Sequence, residues 1–135
     1  MFKLFVFAVA ACVPLSVAAG DAEAMKRLKE TQECVGCDLS GSDLRWAAVY
    51  EAELGGAPNL VNGDLSGADL SGANLYGANL QGTRFVGAKL AGATLSWSDM
   101  SNANLTDADL ADARLDGVIF CGTTMPDGTR NDANC

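Results

Sequence analysis

The sequence predicts an all-β solenoid in which short parallel strands wind around one narrow core. Three observations between residues 59 and 120 lead to this prediction. A large apolar residue returns at every fifth position, a small residue stands two positions before it, and a glycine or polar residue usually stands two positions after it. The apolar centres are Leu60, Leu65, Leu70, Leu75, Leu80, Phe85, Leu90, Leu95, Met100, Leu105, Leu110, Leu115 and Phe120.

A five-residue period indicates strands, because in a helix each repeat would turn about 140° around the axis and form no single apolar stripe. Along a strand, alternate residues share a face, so the small residue and the apolar centre point inward together. The position two after the centre, as at Gly67 and Asn102, suits a corner instead. We therefore expect stacked coils spaced about 4.8 Å apart. The period alone leaves three-sided and four-sided coils open.

Three runs of this pattern are residues 68–72 (ADLSG), 73–77 (ANLYG) and 103–107 (ANLTD). They resemble the A(D/N)LXX repeats of the pentapeptide-repeat family, and the resemblance covers about residues 37–125. It implies a right-handed quadrilateral parallel β-helix, which has four sides and twenty residues in each coil. We assign residues 37–125 to this β-helix, with a register break near residues 55–60. In that break one extra residue separates the centres Leu54 and Leu60, and Pro58 takes a small inward position.

Residues 1–19 read as a secretory signal peptide, with Lys3 before an apolar run and a small-residue cleavage site at residues 17–19. The apolar run is too short to span a bilayer stably. Export predicts the periplasm or a compartment like the thylakoid lumen. The alternative is a lipoprotein, because Val9-Ala10-Ala11-Cys12 resembles a lipobox in which Cys12 would carry the lipid.

Both ends of the β-helix are predicted to carry caps. Residues 20–36 would form the N-terminal cap, with a short helix over residues 21–32 that begins at Asp21 and places Met25 and Leu28 on one face. Residues 126–135 begin with the turn-forming sequence Pro-Asp-Gly. We expect this tail to cross the last coil.

Removal of residues 1–19 leaves Cys34, Cys37, Cys121 and Cys135, an even number that indicates disulfides in an exported chain. With the coil size that the resemblance implies, the two ends lie about 20 Å apart, whereas bridged Cα atoms lie within about 7 Å. The compatible pairs are Cys34–Cys37 and Cys121–Cys135. Two alternatives remain for the Cys34–Cys37 motif. A redox CxxC would need a helix that starts at its first cysteine, and a zinc site would need two further ligands.

Composition argues against several functions. The chain has 17 acidic and 9 basic residues, a net charge of −8, which disfavours nucleic acid and anionic membranes as partners. It has no histidine, which excludes Ser-His and Cys-His nucleophilic arrangements. The recurrent Asp residues are expected on solvated faces, so we predict a chain that is not an enzyme and carries no cofactor or metal.

Tyr76 and Trp97 form the candidate binding face. Their centres, Leu75 and Leu95, are twenty residues apart, so in a four-sided coil both aromatics lie on one side of neighbouring coils. Exposed aromatics can anchor a protein or glycan partner, and the alternative is that they are scattered surface residues.

Three functional hypotheses follow. The first is a non-catalytic exported solenoid, a monomer or weak dimer, that acts as a rigid protein-interaction or structural module for an unknown partner. The family resemblance implies a second, a DNA mimic that binds type II topoisomerases and protects them from quinolones, which an export signal contradicts. The third is a redox protein that uses Cys34 and Cys37.

Overall fold

The fold is a solenoid whose coils from residue 59 onward contain four pentads each. A computed structural model describes residues 22–45 and 58–135, and the predicted signal peptide lies outside this range. From residue 59 onward, parallel β-bridges join residues twenty apart, such as Asn59 with Asn79 and Asp64 with Arg84. Since the sequence repeat is five residues, each coil has four sides. The all-β solenoid that the sequence predicted is confirmed.

Neighbouring coils are joined by short backbone hydrogen bonds, not by long strands. The Leu70 N–H donates to the Lys89 carbonyl (2.7 Å), and the Lys89 N–H donates back to the Ala68 carbonyl (2.9 Å). A corner follows each such contact. As a result, the only extended strands among the described residues are β1 (Thr123–Thr124) and β2 (Arg130–Asn131), which pair antiparallel.

The corners lie where the sequence predicted them. At every position two after a centre from Asn62 to Gly122, φ is positive, between 57° and 73°. The Asp or Asn before a centre supports the turn, because its side-chain oxygen accepts the backbone N–H two residues on. Asp64 does so for Ser66 at 3.0 Å. The repeat therefore uses its polar residue for the corner and its glycine for the left-handed backbone.

The core is a column of inward-facing centres lined by alanines. Leu65, Leu90 and their equivalents in the interior coils are fully buried, as are alanines such as Ala68 and Ala88. Each buried leucine contributes roughly 1.5–3 kcal/mol. Of the last four centres, Leu110, Leu115 and Met125 are only partly buried, whereas Phe120 is buried.

The first coil differs from the others in length. Its bridges join residues 26 apart, as in Glu33 with Asn59, so it holds six residues more than a regular coil, where the sequence indicated one. The predicted centres Val49 and Leu54 fall in 46–57, outside the described residues. Pro58 does take the inward position, since its carbonyl accepts the Asn79 N–H at 2.9 Å.

The ladder also begins earlier than the predicted start at residue 37. Cys34 occupies the position of a centre, because its N–H donates to the Asn59 carbonyl (2.8 Å) as the Leu60 N–H does to Asn79. Cysteine is a small apolar residue that suits such a buried site. A five-residue search for leucines overlooks it.

Helix α1 (Ala22–Thr31) precedes this coil. Its Ala24 and Leu28 are buried in the same apolar cluster as the centres of the coils. The helix ends at Gln32, whose φ is 59° and whose N–H donates to the Leu28 carbonyl, a left-handed C-terminal turn. The expected N-cap, Asp21, lies outside the described residues.

The C-terminal tail lies against two sides of the last coil. The Phe120 N–H donates to the Ala133 carbonyl (3.0 Å), and the Asn134 side chain donates to the Val118 carbonyl (2.8 Å). Across the ranges that the structure describes, no helix has the length and apolar character that a membrane crossing requires.

Candidate protein-binding surface

Trp97 occupies a corner that is otherwise reserved for small or turn-forming residues. Its φ is 63°, and its N–H donates to the Asp116 carbonyl at 2.8 Å. The other described corners from residue 62 to residue 122 hold glycine, asparagine or aspartate. A bulky side chain has no local hydrogen bond to offset the left-handed conformation, which costs about 1–2 kcal/mol. Trp97 is therefore strained at a position where the other corners hold residues that adopt this conformation more easily.

The indole ring rests on the next corner, at Gly117. A Cβ atom added to Gly117 would lie 2.6 Å from Cε3 and 2.7 Å from Cδ2 of Trp97. No such obstacle exists at Gly87, where nothing lies within 4 Å. Glycine occurs at most corners, so the sequence gives Gly117 no special weight. The signal that identifies it is its position twenty residues after a tryptophan.

Tyr76 lies on the same side of the preceding coil, as the parallel bridge between Asn74 and Thr94 shows. Its backbone N–H is held by the Asn74 side chain at 3.0 Å. Tyr76 is 50% exposed and Trp97 is 64% exposed. With Val35, they are the exposed large apolar residues of the described ranges. We call Tyr76 and Trp97 the aromatic face.

Acidic side chains serve the turns. Hydrogen bonds from the Ser40 hydroxyl and backbone hold the pKa of Asp38 below its usual range. The Arg45 side chain, followed by its backbone N–H, lowers the pKa of Asp43 to about 2. A general acid at neutral pH would need a raised pKa instead. These carboxylates are built to stay ionised in water.

Both disulfides join the pairs that the sequence analysis favoured. Cys34 and Cys37 are bonded with Cα atoms 5.3 Å apart, and both residues are buried. Helix α1 ends before this motif, whereas a thioredoxin-like pair needs a helix that begins at its first cysteine.

The second disulfide joins Cys121 to Cys135, whose Cα atoms are 4.8 Å apart. A carboxylate oxygen of Asp132 and the two sulfurs lie within 4.8 Å of one another. Both sulfurs belong to the disulfide, so they offer no thiolate to a metal ion.

Comparison with known proteins places the repeats in a family. The sequence model of the pentapeptide repeats matches residues 59–91 and 88–125, with eight copies. No curated protein matches the chain.

Several solved structures are similar in fold. A trypsin-treated form of QnrB1, a plasmid-mediated fluoroquinolone resistance protein, is 26% identical with a TM-score of 0.50, over 64% of this chain and 49% of that one. The chain thus spans about half the length of QnrB1. The pentapeptide repeat protein Rfr23 from the cyanobacterium Cyanothece is 28% identical (TM-score 0.41, 71% of this chain, 92% of that one). A pentapeptide repeat protein from the Arabidopsis thaliana thylakoid lumen is 23% identical (TM-score 0.41, 85% and 78%). The repeat matches, together with the four-pentad coils, establish that the chain belongs to the pentapeptide-repeat family.

Proposed function

We propose that this chain is a non-catalytic interaction module that presents the aromatic face to a protein partner. The observation that carries the proposal is the strained backbone of Trp97, a residue that is nevertheless 64% exposed. Strain of this kind costs stability, and an exposed ring recovers little of that cost by burial. Binding to a partner supplies a reason for a tryptophan at this corner.

The setting of Trp97 suits an anchor. Its backbone is hydrogen-bonded to Asp116 in the next coil, and one side of its ring lies close to Gly117. An anchor that is already ordered loses less conformational entropy on binding. Tryptophan and tyrosine are also the residue types most enriched among the energetically dominant positions of protein interfaces.

We also infer that both ends of the rod are capped and that the protein is exported. In a right-handed coil, α1 and the C-terminal tail act as caps that protect the strand edges. Two disulfides suit an oxidising compartment, so residues 1–19 direct export to the periplasm or to a lumen-like compartment. Anchoring through a lipid on Cys12 is the alternative. The module needs no cofactor and works as a monomer or weak dimer.

A second candidate function is DNA mimicry towards a topoisomerase, favoured by the likeness to QnrB1 and the net charge of −8. Against it stand the predicted export signal and three exposed basic residues on the faces of the rod: Arg84, Lys89 and Arg114. The candidate requires that the protein change the supercoiling activity of gyrase, with or without a quinolone. An unchanged activity removes it. The redox hypothesis is disfavoured because Cys34 and Cys37 are buried.

The aromatic face is tested by exchanging its residues for those that the repeat itself uses. Trp97→Asn keeps a residue that adopts positive φ at the same corner position in Asn102, and Tyr76→Ser copies Ser96, which is twenty residues further on. Val35→Thr changes an exposed apolar residue elsewhere and serves as the control.

Partners are identified by cross-linking and mass spectrometry in the extracytoplasmic fraction. We expect the double variant to lose the partners that wild type and the control retain, with unchanged circular dichroism. The same partner set for all three proteins would refute the proposal.

A further inference from the structure

Half of the last coil presents an unpaired backbone edge. In the coil before it, the Leu90 N–H donates to the Asp109 carbonyl (2.8 Å) and the Gly92 N–H donates to the Ala111 carbonyl (2.8 Å). One coil later, the corresponding groups have no backbone partner within residues 22–45 and 58–135. They are the N–H groups of Leu110, Asp112, Leu115 and Gly117 and the carbonyls of Ala108 and Ala113. We call residues 108–117 the open edge.

The C-terminal tail is hydrogen-bonded to the other half of this coil, which begins after residue 117. The Gly122 N–H donates to the Asp132 side chain at 2.9 Å, and the Phe120 N–H donates to Ala133. The disulfide between Cys121 and Cys135 fixes this arrangement. The tail therefore covers two sides of the coil and leaves the open edge on the other two.

The open edge also exposes part of the core. Leu90 and Leu95 are fully buried, whereas Leu110 and Leu115, which follow them by twenty residues, are only partly buried. Ala113 is likewise partly exposed. A further half coil laid on this edge would complete the burial of these side chains, as each interior coil does for its neighbour.

The charge around the edge selects the occupant. Between residues 107 and 117 the sequence has four acids and one base, Arg114, and all five are exposed. The acids are Asp107, Asp109, Asp112 and Asp116. In an added coil, outward side chains would stack about 4.8 Å from these residues. A second copy of this chain would bring the same acids together, which is unfavourable.

We propose that the open edge docks an extended, basic segment of a partner protein, which adds as a further half coil. This inference rests on the proposed function and names the chemistry of its partner. Backbone hydrogen bonds give the segment its register, apolar residues cover Leu110 and Leu115, and basic residues meet the acids. Trp97 lies against Gly117 at one end of the edge, so the aromatic face and the open edge form one continuous surface.

The probe is a synthetic ten-residue peptide of two pentads, with leucine centres and a lysine before each centre. One control peptide carries glutamate in place of lysine. A second keeps the lysines but is N-methylated at the two amides that would donate to the Ala108 and Ala113 carbonyls. Each peptide is titrated into the full-length ¹⁵N-labelled protein, and amide shifts and hydrogen exchange are measured.

The lysine peptide is expected to shift and protect the four N–H groups of the open edge while Leu90 and Gly92 stay unchanged. Both control peptides should bind at least about tenfold more weakly. The variant Asp109→Asn/Asp112→Asn, which keeps residue types found at these repeat positions, should weaken binding of the lysine peptide by about tenfold. Equal binding of lysine and glutamate peptides, or no effect on the edge amides, overturns the inference. Protection of the edge by dimerisation of the free protein overturns it too.

The two proposals fail separately. The double variant of the aromatic face keeps the open edge, so it should still bind the lysine peptide even though it loses cellular partners. If wild type fails to bind the peptide while Trp97→Asn still removes partners, the open edge is wrong and the aromatic face stands. If the peptide binds and the aromatic substitutions remove no partner, the reverse holds.

Discussion

Gly117→Ala is the substitution that most directly tests the position of the Trp97 ring. The added methyl group would lie 2.6 Å from the indole, a distance at which the ring or the backbone must move. Gly87→Ala is the matched control, because Gly87 has nearly the same φ (67° against 71°) and nothing within 4 Å of the new atom. The two variants therefore differ in the steric term alone.

Each alanine lowers stability through its left-handed backbone, and at Gly117 the contact with the indole adds a steric cost. An alanine in the left-handed region loses about 1 kcal/mol relative to glycine, and this applies at both positions. An overpacked contact lowers the free energy of unfolding by about a further 1–3 kcal/mol. The lower end applies at Gly117 because the exposed indole can tilt outward. Gly117→Ala should thus lower the free energy of unfolding by about 2 kcal/mol, and Gly87→Ala by about 1 kcal/mol. In a Trp97→Gly background the extra cost at Gly117 should disappear, because where one corner glycine follows another by twenty residues, as Gly92 follows Gly72, an added Cβ has no contact closer than 4.0 Å.

Guanidinium unfolding followed by far-ultraviolet circular dichroism measures these differences, with midpoints compared at constant slope. The double-mutant cycle of Gly117→Ala and Trp97→Gly should give a coupling energy of about 1 kcal/mol. Equal losses at Gly87 and Gly117, or zero coupling, would show that the ring does not rest on this corner. The account of Trp97 as an ordered anchor would then fail.

Four further results are expected. Ser98→Ala should leave stability unchanged or raise it by up to about 1 kcal/mol in urea unfolding, because the Ser98 hydroxyl is buried without a partner in the described structure. Thr83→Val should instead cost about 1 kcal/mol, since it removes a 2.7 Å bond to a carbonyl of the preceding coil. The pKa of Asp43 measured by NMR should lie near 2, below its ordinary 3.8. Its contribution to stability is therefore present at neutral pH and lost as pH falls from about 4 to 2. Arg45→Gln should raise the pKa of Asp43. Dithiothreitol should reduce the Cys121–Cys135 disulfide, in which Cys135 is exposed and Cys121 partly buried, and spare the buried Cys34–Cys37 disulfide of the folded protein. Alkylation and mass measurement follow both reductions, and equal rates would contradict this expectation.

The sequence predicted the features that depend on local chemistry. A centre such as Leu90 is inward because the same five-residue environment recurs on every side. A corner such as Asn102 is left-handed because that residue type tolerates positive φ. Disulfide pairing was within reach because a stack keeps Cys34 far from Cys121.

Features that depend on which coil lies above which were not predictable in this way. The spacing between Leu44 and Leu60 shows one extra residue, but it does not show that the first coil is six residues longer than the regular coils. Leu110 stands between the same two alanine positions as Leu90, yet only Leu90 has a coil on both sides. The five-residue period shows which side chains can face inward, whereas their full burial also requires a coil on each side.

Recognition by a regular solenoid should concentrate where its repeat is broken. Interior coils offer the same backbone pairing and nearly the same side chains on every level, so a partner gains no register from them. Trp97 breaks the corner pattern, and residues 108–117 break the ladder; the two breaks meet at Gly117. A chain extended by ten residues in pentad register would pair the edge internally and leave the indole exposed. Such a chain should lose binding to the basic peptide and keep any partner that recognises the aromatic face alone.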